Sequence, residues 1–409
     1  MSQQRFASAV PALRHEAFWG ALTTACVTFN TAYLIRLGGS NLLVSLLISG
    51  SALISTLTSI PVAEFLEKRR DTGFWTVAAL GVVRYGHIGL VILPWLPGWQ
   101  PELFLVFILP LNLPLVLYLC GWLATLTDIV PIERRARVLA ERNMVLGAVV
   151  TVGTLLLGQA LERITFPLNY QLLYALAVLA GIVQTFYAAR VIRQSSAAAP
   201  ARTTQPSISL GIAREIWRTQ RPFANIVLNT LLFNIPLHMM MLLQPIYFIR
   251  TLGASDGWMG TWFALASGGG LVGNLLWLWL INRHGAAWVL PRAAMLSAPT
   301  YFLISFLPDL NVILVIALFA GVINSGIDLS HLDTLLRVCP VERRAWYLSL
   351  FVAAMNAALF LTPLAVAPLL DLVGAPILLV ALGVARLLGA LLFVVNPVYV
   401  SPPTLAEAP

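Results

Sequence analysis

Tyr33–Ser40 reads YLIRLGGS, and Tyr247–Ser255 reads YFIRTLGAS, the same motif with one residue inserted. A second pair follows suit, PIERRA at Pro131–Ala136 and PVERRA at Pro340–Ala345. Around these motifs the chain falls into apolar runs at about 17–36, 41–63, 74–94, 102–127, 143–161, 168–190, 222–249, 257–281, 287–307, 311–335, 347–370 and 375–396. Each is long enough to cross a bilayer as a helix, and none alternates with the period of a strand. The first motif closes the first run of each half, and the second follows the fourth run of each half. Two matches in equivalent places make an internal repeat. Six runs, an even number, separate the copies, so both halves insert the same way up. That is a parallel repeat about an axis along the membrane normal. The reading is an all-α membrane protein of twelve transmembrane helices, two six-helix bundles related by a pseudo-two-fold axis. Residues 1–190 form the first bundle, 191–221 a cytoplasmic linker, and 222–409 the second bundle with a short tail.

Composition excludes the alternatives. Of 409 residues 59% are hydrophobic and 10% charged, where a soluble domain carries about a quarter charged. Mean hydropathy is +0.85. A disordered chain, a secreted disulfide scaffold and an outer-membrane barrel are all ruled out. The net charge of +8 calls for no nucleic acid, because nineteen of the 25 Lys and Arg fall in the N-terminal residues or in loops on one side of the membrane. That is the positive-inside bias, and it places both termini in the cytoplasm of an inner-membrane protein. Residues 1–16 read as a cytoplasmic tail without a cleavage site, and QSSAAAPARTTQPS as a flexible linker. Cys26, Cys120 and Cys339 are scattered, so no disulfide or metal framework follows. No phosphate-binding GxxxxGK[ST] loop is present, so no nucleotide drives this chain, and no cofactor is expected.

Polar side chains deep in apolar spans are expensive and mark candidate sites. In the tenth span Gly321, Asn324, Asp328 and His331 share one helical face. Desolvation favours the protonated form of a lone carboxylate there, and a nearby cation favours the charged form. Asp328 is thus the candidate for proton coupling, with His331 one turn further in as its relay. The fourth span offers Asn112, Tyr118 and Trp122 beside Pro110 and Pro114, and the seventh offers Asn229, Asn234 and His238 around Pro236. Asn30 lies in the first span. Each amide has a plainer reading as interhelical glue worth about 1 kcal/mol. Arg84, Arg292 and Arg386 stand inside apolar runs and must face protein, snorkel or find a carboxylate. Arg84, with His87 a turn away, is a candidate for holding an anionic group.

The twelve-span, half-to-half repeat resembles the major facilitator superfamily over essentially the whole chain. That family's loop between its second and third spans has the form G-x-L-a-D-R-x-G-R-R. Here AEFLEKRRDT, Ala63–Thr72, puts Glu67 at the acidic place and Lys68, Arg69 and Arg70 at basic places, without either glycine. LINRHG, Leu280–Gly285, is similar in the second half, with Arg283 at the basic place, and Asp128 resembles the family's acidic partner for the loop. The resemblance implies a conformational latch built from Glu67, Arg69, Arg70, Asp128 and Arg283. It also implies a cavity lined by spans one, four, seven and ten. The fifth span lacks the Gly-Pro pair of the family's antiporter motif, which argues against a proton-driven drug exporter.

The function expected is secondary transport of a small solute by alternating access, proton-coupled, with the chain acting as a monomer in the lipid bilayer. Rivals are a transporter-like sensor or assembly partner, and a membrane-embedded enzyme. The enzyme would need paired acidic metal ligands or a nucleophile with its base. Asp328 and Asp333 are five residues apart, and His331 has no obvious serine partner, so the chain is read as no enzyme.

Overall fold

The structure, a computed structural model, describes residues 2–69, 71–96, 98–194, 220–339 and 344–396. Most of the linker, and Pro340–Arg343 of the PVERRA copy, lie outside these residues. Among the described residues, eleven helices are long and apolar enough to cross a membrane, from Asn41–Ser59 to Ala375–Val395. The remaining span opens the chain as two helices, Ser2–Val27 and Asn30–Arg36, broken at Thr28–Phe29.

That first span corrects the reading of residues 1–16 as a tail. The helix starts at Ser2, and Ala9, Ala12 and Leu13 pack against Leu80, Tyr118 and Ile192 in one core cluster. With Glu16 they follow the i, i+3, i+4, i+7 spacing of a buried helical face, and that face continues into the apolar run without a break. Prolines interrupt other spans. Leu93–Trp95 and Leu109–Leu111 are tight 3₁₀ turns around Pro94 and Pro110, and Pro299 opens the second piece of the ninth span.

The internal repeat is visible in backbone geometry. Gly38 and Gly253 occupy equivalent places in the two copies, and both are left-handed, with φ of 86° and 70°. Ser40 Oγ caps the second span by accepting from Leu43 N at 3.2 Å, and Ser255 Oγ accepts from Trp258 N at 3.1 Å to cap the eighth. The inserted residue of the second copy is absorbed by a π turn, Tyr247–Thr251. Leu252 N reaches Tyr247 O, five residues back, where Leu37 N in the first copy reaches Tyr33 O, four back. A π turn is how a helix takes in one extra residue without losing its ladder.

By backbone contacts the chain forms two compact units, residues 1–202 with 244–268, and residues 203–243 with 269–409. In the first unit the fifth span (Arg137–Arg163) meets the eighth (Asp256–His284) through two glycines. A Cβ on Gly158 would lie 2.6 Å from the Gly260 Cα, so the backbones touch. Gly260→Val is expected to cost about 1–3 kcal/mol of stability through overpacking, read as a lowered melting temperature in detergent. Gly268→Ala, whose Cβ would sit 3.5 Å from Thr151 Cγ2, should leave it nearly unchanged.

Candidate functional site

In the second unit, Asp309 starts the tenth span by accepting from Asn311 N and Val312 N at 2.9 and 3.0 Å. The helix then runs Leu310–Val338 and turns Asn324, Asp328 and His331 into one cavity of about 320 Å³. The seventh span adds Thr230, Phe233 and Asn234, the eleventh Phe351 and Met355, and the twelfth Arg386. The structure thus brings together four of the candidate residues, Asn324, Asp328, His331 and Asn234.

Arg386 is the electrostatic floor of this cavity. Only 1% exposed, it donates from Nη1 to Phe233 O at 2.6 Å and from Nε to Ser297 Oγ at 3.0 Å. Its guanidinium carbon lies 3.3 Å from the centroid of the Phe233 ring. A cation so enclosed is sustained by hydrogen bonds and by an aromatic face. Asp328 and Arg386 act on each other electrostatically, while Asp328 and Asn324 remain exposed at the open side. His331 Nε2 and Thr230 Oγ1 are 2.6 Å apart, and the His331 ring lies against Phe351 at 5.5 Å. A carboxylate, an imidazole with a hydroxyl partner and a fixed guanidinium around one small cavity can orient a polar solute and exchange a proton with it.

The first unit holds a second polar core. Glu16 is fully buried. Its Oε1 accepts from Tyr118 OH at 3.0 Å and from Gln184 Nε2 at 2.8 Å, while Arg142 Nη2 approaches Oε2 at 3.6 Å. Gln184 Oε1 in turn accepts from Arg84 Nε at 2.9 Å. Arg84 therefore belongs to a network joining the first, third and sixth spans. Gly181 leaves room for it, since a Cβ there would be 2.7 Å from the Arg84 side chain. Trp122 stacks on Tyr118 at 5.8 Å. Glu16, Gln184 and Arg142 escaped the sequence reading because Glu16 sits at the edge of an apolar run and passes for its boundary.

Other candidates have local partners. Asn30 Oδ1 accepts from Tyr174 OH at 2.7 Å at the break in the first span. Asn112 donates to Leu109 O at 3.0 Å and to Ser51 Oγ at 3.2 Å, closing the 3₁₀ turn at Pro110. Asn229 donates to Leu392 O and Asn396 O, pinning the end of the twelfth span. His238 is buried and does not line the cavity, though it lies within electrostatic reach of Arg386. Of the loop residues, Arg69 lies over Phe65 and Trp75, Arg283 over Trp279, and Asp128 is exposed. Arg70 and the Glu67 side chain lie outside what the structure describes. Arg292 is exposed, bonds its own helix at Trp288 O and stacks over Trp288 at 4.0 Å.

The repeated motif itself builds a clasp. Arg36 bonds Asp256 Oδ1 at 3.2 Å and Ala254 O at 2.8 Å, and Arg250 bonds Asn41 Oδ1 at 2.5 Å and Gly39 O. Each arginine thus reaches the turn that follows the other copy, at equivalent positions. Tyr170 OH adds a 3.0 Å bond to Asp256. The signal was in the sequence: both copies carry an arginine and, after the glycine turn, an amide or acid at the start of the next span.

No protein-family model and no curated sequence matches the chain. Solved structures do. A bacterial homolog of the human lysosomal transporter Spinster, inward-facing and unoccupied, aligns with a TM-score of 0.67 at 14% identity, covering 97% of this chain and 99% of that one. The nucleoside transporter NupG aligns at 0.69 and 10% identity, covering 95% and 99%. A POT family transporter in complex with 5-aminolevulinic acid aligns at 0.71 and 13% identity, covering 95% of each chain. The likeness runs nearly end to end, and the repeat shows in the backbone itself: the chain is a multi-pass membrane protein with the major facilitator fold.

Proposed function

We propose that this chain is a secondary active transporter that moves a small polar or amphiphilic solute by alternating access, coupled to protons through Asp328. The observation that carries the reading is the cavity of the second unit, where Asp328, His331 and Arg386 converge beside Thr230, Asn234 and Asn324. A carboxylate that shares a cavity with a fixed cation changes its preference for a proton when a solute enters between them, and that is the condition for coupling. The fold supports the same reading, because the similar structures described above are transporters. Arg386 serves as the fixed counter-charge, Asn324 and Asn234 as orienting amides, and His331 with Thr230 as the proton's neighbour.

The test is uptake in proteoliposomes against a panel of nucleosides, short peptides, amino acids and amphiphiles, with and without a pH gradient. At least one solute should accumulate unchanged, and faster with the gradient. Chemical conversion of the solute, or no gradient-dependent uptake of any panel member, would overturn the reading.

A further inference from the structure

Of the three arginines inside apolar spans, Arg84 and Arg386 are buried and Arg292 faces outward. It stands six residues into the span Ala286–Phe306, about 9 Å from its start at the helical rise. The ninth span turns Val289, Leu290 and Ala293 inward, against Ile327 of the tenth span and Phe393 of the twelfth. It leaves Leu296, Leu303 and Phe306 exposed, and Arg292 falls in line with them on the face that meets lipid tails. No carboxylate reaches it there. The sequence has no Asp or Glu between Asp256 and Asp309. In the tenth span, Asp328 lines the cavity with Arg386, and Asp333 is engaged by Arg337 at 2.8 Å. Among the described residues Arg292 forms no ion pair.

The side chain is nonetheless held in one pose. It turns back toward the start of the span, where Nη1 donates to Trp288 O at 2.8 Å. Its guanidinium carbon lies 4.0 Å from the centroid of the Trp288 ring, and that ring stacks with His284 at 4.6 Å. Turning back by four residues brings the guanidinium about 6 Å nearer the head groups. The Nη1 bond and the aromatic face together fix the guanidinium plane. The edge formed by Nε and Nη2 then donates to nothing among the described residues, and that edge is the fork that fits two oxygens of one phosphate.

We propose that this edge binds the phosphodiester of an anionic phospholipid, in the leaflet that meets the Leu280–Gly285 loop. The lipid phosphate is the counter-charge that the protein itself does not supply. One acyl chain lies along Leu296, Leu303 and Phe306. Arg283, held over Trp279 at 5.6 Å beside His284, repels a head-group amine. The site therefore takes a glycerol head group over choline or ethanolamine. Binding is read at equilibrium, so it stands apart from transport.

The test is titration of delipidated protein in neutral maltoside with phosphatidylglycerol, the lipid-bound fraction being counted by native mass spectrometry. Wild type should take up one phosphatidylglycerol at concentrations where phosphatidylcholine, and glycerophosphoglycerol without acyl chains, leave it bare. Arg292→Met should weaken that first binding step by about tenfold or more. Arg292→Lys keeps the charge without the fork and should recover little. Arg193→Met removes an exposed arginine at the end of the sixth span and should leave binding unchanged. Each variant is first melted in lipid-free micelles, and should Arg292→Met unfold early, Arg292→Gln carries the same comparison. Equal first-step binding to wild type and the Arg292 variants would overturn the proposal. So would an equal loss in Arg193→Met, full recovery in Arg292→Lys, or binding of phosphatidylcholine or the free head group as tight as that of phosphatidylglycerol.

Discussion

Asp328→Asn is expected to collapse gradient-driven accumulation while leaving solute exchange across the membrane intact. The substitution keeps the size and much of the hydrogen bonding of the side chain and removes only its capacity to carry a proton. In a one-proton symporter, a gradient of one pH unit supplies about 1.4 kcal/mol, enough for a roughly tenfold accumulation. The variant's accumulation ratio should therefore fall to about one, with counterflow of labelled against unlabelled solute persisting. Thr230→Val is a milder companion. It removes the 2.6 Å partner of His331 Nε2 and should slow uptake without abolishing the dependence on the gradient. Accumulation at the wild-type level in Asp328→Asn would place coupling elsewhere, and the buried Glu16 would be the next residue to examine.

The second large effect is on stability. Arg386→Met is expected to cost about 3 kcal/mol, because two hydrogen bonds from a charged donor and a close aromatic contact go at once. The groups left behind are buried: Phe233 O and Ser297 Oγ lose their donor, and Asp328 loses its nearby cation. Arg386→Lys should recover little, since a single ammonium cannot serve two acceptors and a ring with the geometry of a planar fork. Arg292→Met is the contrast. That side chain is exposed and bonded to its own helix, so its loss should leave the melting temperature within about half a kcal/mol equivalent. Thermal unfolding of purified protein in one detergent ranks all three.

These residues also show how far the sequence carries. The period of the tenth span put Asn324, Asp328 and His331 on one face, and the structure turns that face into one cavity. The repeat was legible as letters and returns as matching glycine turns and serine caps. Partners drawn from distant parts of the chain were not legible. Arg386 stood out as a cation in an apolar run, but nothing local says that Phe233 and Ser297 will receive it. The amides divide for the same reason. Asn234 and Asn112 look alike in sequence, yet Asn112 is held by carbonyls that the 3₁₀ turn at Pro110 presents to it, while Asn234 lines the cavity. Glu16 was hidden by position, because a hydropathy reading ends a span at its first charge, whereas the helix buries that charge and continues.

The exchanged arginines of the repeated motif have a mechanical consequence. A single fastening is a pivot, about which the joined parts can still swivel. Two fastenings set apart and facing opposite ways cancel each other's freedom to swivel, so the joint bears torque. Any parting of these two turns would therefore require the loss of both the Arg36 and the Arg250 contacts, and neither alone would free the joint.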